Sequence, residues 1–280
     1  MSDFWPTLSK RVLRITDGET LEQDIEIVLE EPLSLHINGK QVAVLMRLPG
    51  MEKELAAGFC ISEGLVNRFS DILMVHHCGQ GLPVPGEDPT EDGSVESRNR
   101  VDVRVLPEAL HEDARLDVVR LIRAGCGAVD VARIDLPLSQ VQGDLIVNSG
   151  TVLGLAKSMR SEQRVHQRAG GVHAAALFDA TGELVILGED VGRHNAVDKA
   201  IGYCLLRDIP LEDKVLLCSG RLSYEMVTKT IRVRIPLLVS ASAPTALAVQ
   251  LAEQFGVTTV GYLRGRRMTI YTHPKRILVH

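Results

Sequence analysis

The sequence predicts an α/β fold, with helices on both faces of a largely parallel sheet in the C-terminal half and a smaller β-rich part before it. Three observations lead there. From about residue 172 onward, apolar runs of strand length alternate with amphipathic runs of helical length. Between 22 and 48, β-rich runs flank Asn38-Gly39, the dipeptide that best closes a two-residue hairpin. No run approaches the roughly 20 apolar residues of a membrane span.

Taken in order, residues 1–20 read as a tail without the apolar core of a signal peptide. The hairpin over 22–48 follows, then the breaker Pro49-Gly50. Leu55, Ala56, Phe59 and Cys60 recur at helical spacing, which predicts a short helix ending near Gly64. Residues 78–100 are rich in Gly, Pro, Ser and acids and read as a surface loop. VDVRVL at 101–106 restores strand alternation, and Leu110, Leu116, Val119 and Ile122 predict a helix to about Arg123. That helix leads into AGCGAVD. Asn148-Ser149 opens a long helical run closed by Gly170-Gly171. VHAAALFDATGELVILG then reads as a hairpin turning at Thr181-Gly182, followed by a helix to about Leu206. KVLLCSG is a buried strand, SYEMVTKTIR a helix, PLLVSAS a strand, PTALAVQLAEQFG a helix, and TTVGYLR with RMTIYTH completes the sheet.

Chemistry concentrates in residues 188–202, GEDVGRHNAVDKAIG, where acids, an Arg, a His, an Asn and a Lys surround glycines at a strand end and helix start. Free N–H groups and the helix dipole there favour an anion such as phosphate. Arg193, His194, Asn195, Asp198 and Lys199 are therefore expected to line a pocket. Ser219, Gly220 and Arg221, with Ser223 and Glu225, follow one strand, and Ser242, Pro244 and Thr245 follow another, where open α/β sheets place ligands. GYLRGRR at 261–267 sets Arg264, Arg266 and Arg267 around Gly265, a basic turn able to grip phosphates. Together these clusters predict a site for a phosphate-rich, nucleotide-like ligand.

Composition narrows the rest. The chain has 280 residues, 45% hydrophobic and 24% charged, and its net charge of −5 gives no global case for nucleic-acid binding, so anion binding rests on local basic clusters. Neither nucleic acid nor membrane is expected as a partner, and the protein reads as cytosolic. The five cysteines are scattered with no C-x-x-C, which argues against a disulfide framework or a thiolate zinc site. Cys126 alone is built for access, with a glycine on each side. The alternative is a small residue packed in a turn.

EEPLSLHINGK, LPGMEKELAAGFCISEGLV, GGVHAAAL, EDVGRHNAVDKAIG, SGRLSYEMV, SASAPTALAVQLA and GYLRGRRMTIYTH, in this order, resemble segments of the FdhD formate dehydrogenase accessory proteins, which are sulfur carriers in maturation of the molybdenum cofactor. The resemblance covers most of the chain. It implies a cytidine deaminase-like domain with a mixed sheet and flanking helices over 146–280, an α+β part over 21–145 that includes the Cys126 loop, and a homodimer. It further implies that Cys126 accepts persulfide sulfur from a cysteine desulfurase and passes it to the bis-guanine-dinucleotide form of the molybdenum cofactor before insertion into formate dehydrogenase. Tyr262, Leu263, Arg264, Gly265, Arg266 and Arg267 match the cofactor-binding stretch, with Arg193, His194, Asn195, Asp198, Lys199, Ser219 and Arg221 around it. The family's loop runs serine-cysteine-glycine-x-cysteine-glycine; here Cys126 takes the first cysteine, Val129 the second, Gly125 the serine and Asp130 the last glycine. Ala169 stands where the family tends to have threonine. A chaperone that binds the cofactor without carrying sulfur is the alternative. No metal site is expected, because the helix starts GRHNAVDK and SGRLSYE lack the two thiolates that zinc deaminases need.

Overall fold

The computed structural model describes residues 5–78, 99–110, 138–279 and, for the backbone, 120–121; Cys126, Val129 and nearly all of the loop read over 78–100 lie outside the described residues. β1 (Thr7–Thr16) and β2 (Glu19–Val28) form a two-stranded hairpin whose turn, Asp17 and Gly18, has φ of 51° and 88°. Most of the tail expected over 1–20 is thus strand. Its two faces are both largely exposed, so no buried face imposed the alternation by which a strand is read. β3 (Glu31–Ile37) and β4 (Lys40–Arg47) turn at Asn38 and Gly39, φ 48° and 82°, as the Asn-Gly pair requires. The Asn38 side chain also exchanges two hydrogen bonds with the backbone of Val105, at 3.0 and 3.1 Å.

After α1 (Glu52–Ser62) come β5 (Ile72–Cys78), β6 (Arg100–Val105) and β7 (Arg120–Leu121), giving a sheet of order β5-β6-β3-β4-β7. The helix expected to Arg123 is corrected at its described ends. Pro107–Ala109 makes one 3-10 turn, and Arg120 and Leu121 pair with Ala43 and Val44 of β4. The open edge of β4 offers a ladder that outcompetes an apolar spacing of helical period.

The C-terminal part begins with β8 (Val147–Asn148), α2 (Ser149–Glu162) and α3 (Arg164–Ala169). Asn148 caps α2 through Gly150 N at 2.8 Å. The predicted single helix breaks at Gln163, and Glu189 stabilises the break by accepting from Val165 and His166 N–H, both at 2.9 Å. There follow β9 (His173–Phe178), β10 (Leu184–Asp190), α4 (Arg193–Leu205), β11 (Val215–Cys218), α5 (Tyr224–Arg232), β12 (Leu237–Ser240), α6 (Ala246–Phe255), β13 (Thr258–Arg264), β14 (Arg267–Ile270) and β15 (Ile277–Leu278). The main sheet has order β10-β9-β11-β12-β13-β14, and only β11–β12 and β12–β13 are parallel. The largely parallel sheet expected from strand–helix alternation is therefore a mixed one. The hairpins at Thr181-Gly182 and Gly265 force their strands antiparallel.

Alternation along the strands sorts the core. Ala175, Leu177, Leu216, Cys218 and Leu238 face α4, α5 and α6, while Ala174, Ala176, Val215, Leu217 and Val239 face α2. The first cluster continues through α1 into Leu33, Leu35, Val101 and Val103 of the N-terminal sheet, so the two parts share one core. α1 and α4 cross at glycines: a Cβ at Gly58 would collide with the Asp198 carbonyl, and one at Gly202 with that of Glu54.

Candidate functional site

Strand directions decide where chemistry can gather. β10 and β13 run parallel to β11 and β12, while β9 and β14 run against them. The last residues of β10, β11, β12 and β13 and the first of β9 and β14 therefore lie along one edge of the sheet, with the N-termini of α4, α5 and α6 just beyond. This edge brings together the clusters expected from sequence.

At its β9 end stands His173, half-buried, with Nδ1 3.3 Å from Ser219 Oγ, which accepts from Ala174 N–H at 3.0 Å. Burial, then the Arg193 guanidinium and the neighbouring His194 ring, push the His173 imidazole below its usual value. Gly220 allows the Arg193 side chain to lie close: a Cβ there would sit 3.3 Å from Arg193 Cδ. Arg193 Nε and His194 Nε2 are buried without a hydrogen-bond partner. His194 Nε2 is 3.6 Å from Glu225 Oε2, a charge contact too long for a full hydrogen bond. His194 first, then Ser223 at 2.8 Å and Arg193, outweigh burial and hold the Glu225 carboxyl down at about 2.

The next strand ends are tied together by backbone. Ser240 Oγ donates to Gly220 O at 2.6 Å and accepts from Ser242 N–H at 2.8 Å. Thr245 Oγ1 caps α6 through Ala248 N–H at 3.3 Å. Tyr262, exposed and at φ 53°, donates its N–H to Ser242 O at 2.9 Å, and Arg264 Nε donates to Ala241 O at 3.1 Å. Arg221, Arg264, Gly265, Arg266 and Arg267 are exposed along this edge. The rim thus displays His173, Arg193, His194, Arg221, Arg264, Arg266 and Arg267 across the five strands from β9 to β14. At about 4.8 Å per strand spacing it is about 19 Å long.

Four residues expected to line the pocket are placed otherwise. Leu263 is in the core between the sheet and α2. Lys199, 1% exposed, pairs with Asp190 at 2.7 Å and donates to Leu48 O at 2.8 Å and Glu189 O at 3.1 Å. Asn195 donates to Met46 O at 2.7 Å and to Asp190 at 2.9 Å. Asp190 also accepts from Leu48 N–H at 3.1 Å and Gly192 N–H at 2.9 Å. Asp198 accepts from Ser62 at 2.6 Å and from Lys229 at 2.9 Å. Burial opposes the charge of Lys229, but the carboxylates of Asp198 and Glu63 hold its ammonium above the ordinary lysine range. Half of the polar run at 189–199 is a lock between the two parts, because those residues meet partners on β4, α1 and α5; Arg193 and His194 alone of the five expected residues turn to the rim.

Sequence reasoning missed His173. It precedes an alanine run without local signal, and only the β9–β11 register, Ala175 opposite Cys218, brings it to Ser219. Among the described cysteines, burial pushes Cys60, Cys204 and Cys218 up to about 12, 11 and 12, and raises the Cys78 thiol, which donates to Asp102 at 3.2 Å. None is poised as a thiolate at neutral pH. A cavity of about 770 Å³ lies at the other end of the sheet, lined by Ile146, Glu253, Tyr271, His273 and Arg276 among others. Its lining balances the acids Asp144 and Glu253 against His273, Lys275 and Arg276, whereas the rim is dominated by arginines and sits beside helix N-termini, so the site is assigned to the rim.

Known proteins resemble the chain over nearly its whole length. Sulfur carrier protein FdhD of Streptomyces coelicolor is 39% identical over 278 residues, covering 97% of this chain and 95% of its own. That of Mycobacterium tuberculosis is 38% identical over 280 residues, covering 98% and 99%. The FdhD of Saccharolobus solfataricus is 36% identical over 271 residues, covering 95% and 96%. A crystal structure from Desulfotalea psychrophila, named for a formate dehydrogenase accessory role, shares the fold at TM-score 0.72 and 24% identity over 97% of this chain and 99% of that one. The FdhD/NarQ family profile matches residues 28–278. This chain belongs to the FdhD/NarQ family.

Proposed function

We propose that the protein is a cytoplasmic sulfurtransferase serving formate dehydrogenase: it takes persulfide sulfur from a cysteine desulfurase onto Cys126 and passes it to the molybdenum cofactor held along the rim. The observation that carries this reading is the rim itself, a line of arginines on the edge where α4, α5 and α6 present their N-termini. Its length of about 19 Å suits an extended, phosphate-bearing cargo such as a bis-guanine dinucleotide, which touches several strand ends at once. Relatives named as sulfur carriers support the same role. The raised thiols of the described cysteines favour Cys126, flanked by Gly125 and Gly127, as the carrier. The arrangement of two parallel strand pairs flanked by hairpins supports a cytidine deaminase-like domain over 146–280, and a homodimer accompanies this reading.

Loading needs no redox agent. The Cys126 thiolate attacks the terminal sulfur of the donor persulfide, a new S–S bond forms, and the donor leaves as its own thiolate. Releasing that sulfur as sulfide takes two electrons, supplied when a second thiol closes a disulfide on Cys126. Val129 stands where the family places that thiol, so it comes from another molecule. Val129 is also what favours the second reading, a cofactor chaperone without sulfur transfer. Incubation with a cysteine desulfurase and cysteine should add one sulfur to the peptide that contains Cys126, seen by mass spectrometry. An unmodified peptide leaves the chaperone reading.

Proton linkage offers another test. A phosphate bound beside His173 opposes the burial and the guanidinium that depress its imidazole, so binding takes up a proton. GDP affinity should therefore rise as pH falls below about 6.5, the free imidazole value. Calorimetry at several pH values should show this rise to be steeper in the wild type than in His173→Asn, a comparison that cancels the titration of the nucleotide. Equal slopes would remove His173 from the site.

A further inference from the structure

The hairpin of β1 and β2 is attached to the body at its base. Arg168 of α3 pairs with Glu26 at 3.5 Å and lies 4.9 Å over the Trp5 ring, and Gly171 abuts Val28. From there the register runs outward from Thr7↔Val28 to Thr16↔Glu19. Cross-strand partners share a face and successive residues alternate. Glu26 and Val28 fix which face looks toward α3. The other face carries Leu8, Val12, Leu21, Ile25 and Ile27 along its length, with Lys10, Arg14, Thr16, Glu19 and Gln23 between them; Leu8 and Leu21 are 59% and 60% exposed, and Leu13 and Ile15 are exposed on the α3 side beyond the base. A two-stranded ribbon is marginal without cover, and an apolar face of this kind marks a contact surface.

Charge selects what covers it. β1 carries Lys10, Arg11 and Arg14 and no acid, whereas β2 carries Glu19, Glu22, Asp24 and Glu26 and no base. Symmetric edge-to-edge pairing would set β1 on β1 or β2 on β2, like charge on like. Pairing β1 with a neighbour's β2 at the edge is head-to-tail and does not close. Face-to-face stacking has two symmetric forms. A two-fold axis across the strands lays β1 over its own copy and brings Lys10 to the partner's Arg14. An axis along the strands lays β1 over the opposite strand, with Leu8 above the partner's Ile27 and Arg14 between the partner's Leu21 and the partner's Glu19.

We propose that this apolar face binds the same face of a second copy, with the two-fold axis along the strands. The inference rests on the homodimer reading above and names its contact. The face measures about 33 Å by 10 Å, or about 330 Å² per copy, against the roughly 800 Å² per partner of a standard interface. Association through it is therefore concentration-dependent.

Sedimentation of the full chain tests this with Arg14→Glu and Glu19→Arg, separately and mixed in equal amounts, their folds checked by thermal unfolding. Each alone should raise the dimer dissociation constant about tenfold. The mixture should restore it, because in the mixed dimer the introduced acid faces the introduced base and the native Arg14 faces the native Glu19. Within each chain the like charges stay together, so rescue cannot be intramolecular. Leu21→Glu should weaken the dimer in any mixture. A monomeric wild type at all concentrations overturns the homodimer reading and the contact with it. A dimer that withstands all three substitutions leaves the homodimer standing and overturns this contact, and single variants that weaken association without rescue on mixing overturn its register.

Discussion

An Asp190→Ala protein should lose about 3–5 kcal/mol of stability, the cost of leaving one member of a buried ion pair alone. Asp190 is fully buried, and its two oxygens serve Lys199, Asn195 and the N–H groups of Leu48 and Gly192. Truncation strands the Lys199 ammonium among carbonyls and removes the acceptor that shapes the turn into α4. Urea unfolding followed by circular dichroism gives the loss directly. Asp190→Leu combined with Lys199→Met should cost less than Asp190→Ala alone, because no unpaired charge remains. A loss under about 1 kcal/mol in the single variant would mean that water reaches the pair and that the lock contributes little.

Removing Arg193 and Arg264 together should weaken GDP binding by about a thousandfold while leaving persulfide loading of Cys126 intact. A hydrogen bond to a charged group contributes about 1.5–3 kcal/mol, so each substitution to alanine accounts for roughly ten- to hundredfold. Arg193 lies against Gly220 after β11 and Arg264 ends β13, two strand spacings or about 10 Å away, so their effects should roughly add. Cys126→Ala should do the reverse, abolishing loading and leaving GDP affinity unchanged. Calorimetry for the nucleotide and mass spectrometry for the sulfur read the two functions separately. If the double arginine variant binds GDP normally, the rim is not the cargo site; if it also fails to load, the division between carrier loop and cradle is wrong.

Much of this was legible in the chain. Asn38-Gly39 announced its hairpin, and the strand–helix alternation after 172 located every major element of the C-terminal sheet. The sequence could not say which pairs of strands were parallel, since hairpins and crossovers both read as alternating segments. It also misjudged residues 189–199. Dense polar groups at a helix start signal either a site or a lock, and the choice depends on partners as distant as Met46, Leu48, Ser62 and Lys229. β1 escaped notice because both its faces are open, and His173 because Ser219, its partner, lies 46 residues on.

The lock has a consequence for how the chain can be cut or inherited. A fragment beginning at residue 146 would keep Lys199 and Asp198 but lose the Leu48 carbonyl and the Ser62 hydroxyl, and it would bare the helix face on which α1 sits. A cut near 145 would therefore divide a single folding unit. The residues before the seam and the residues that form the rim must be made and replaced as one molecule.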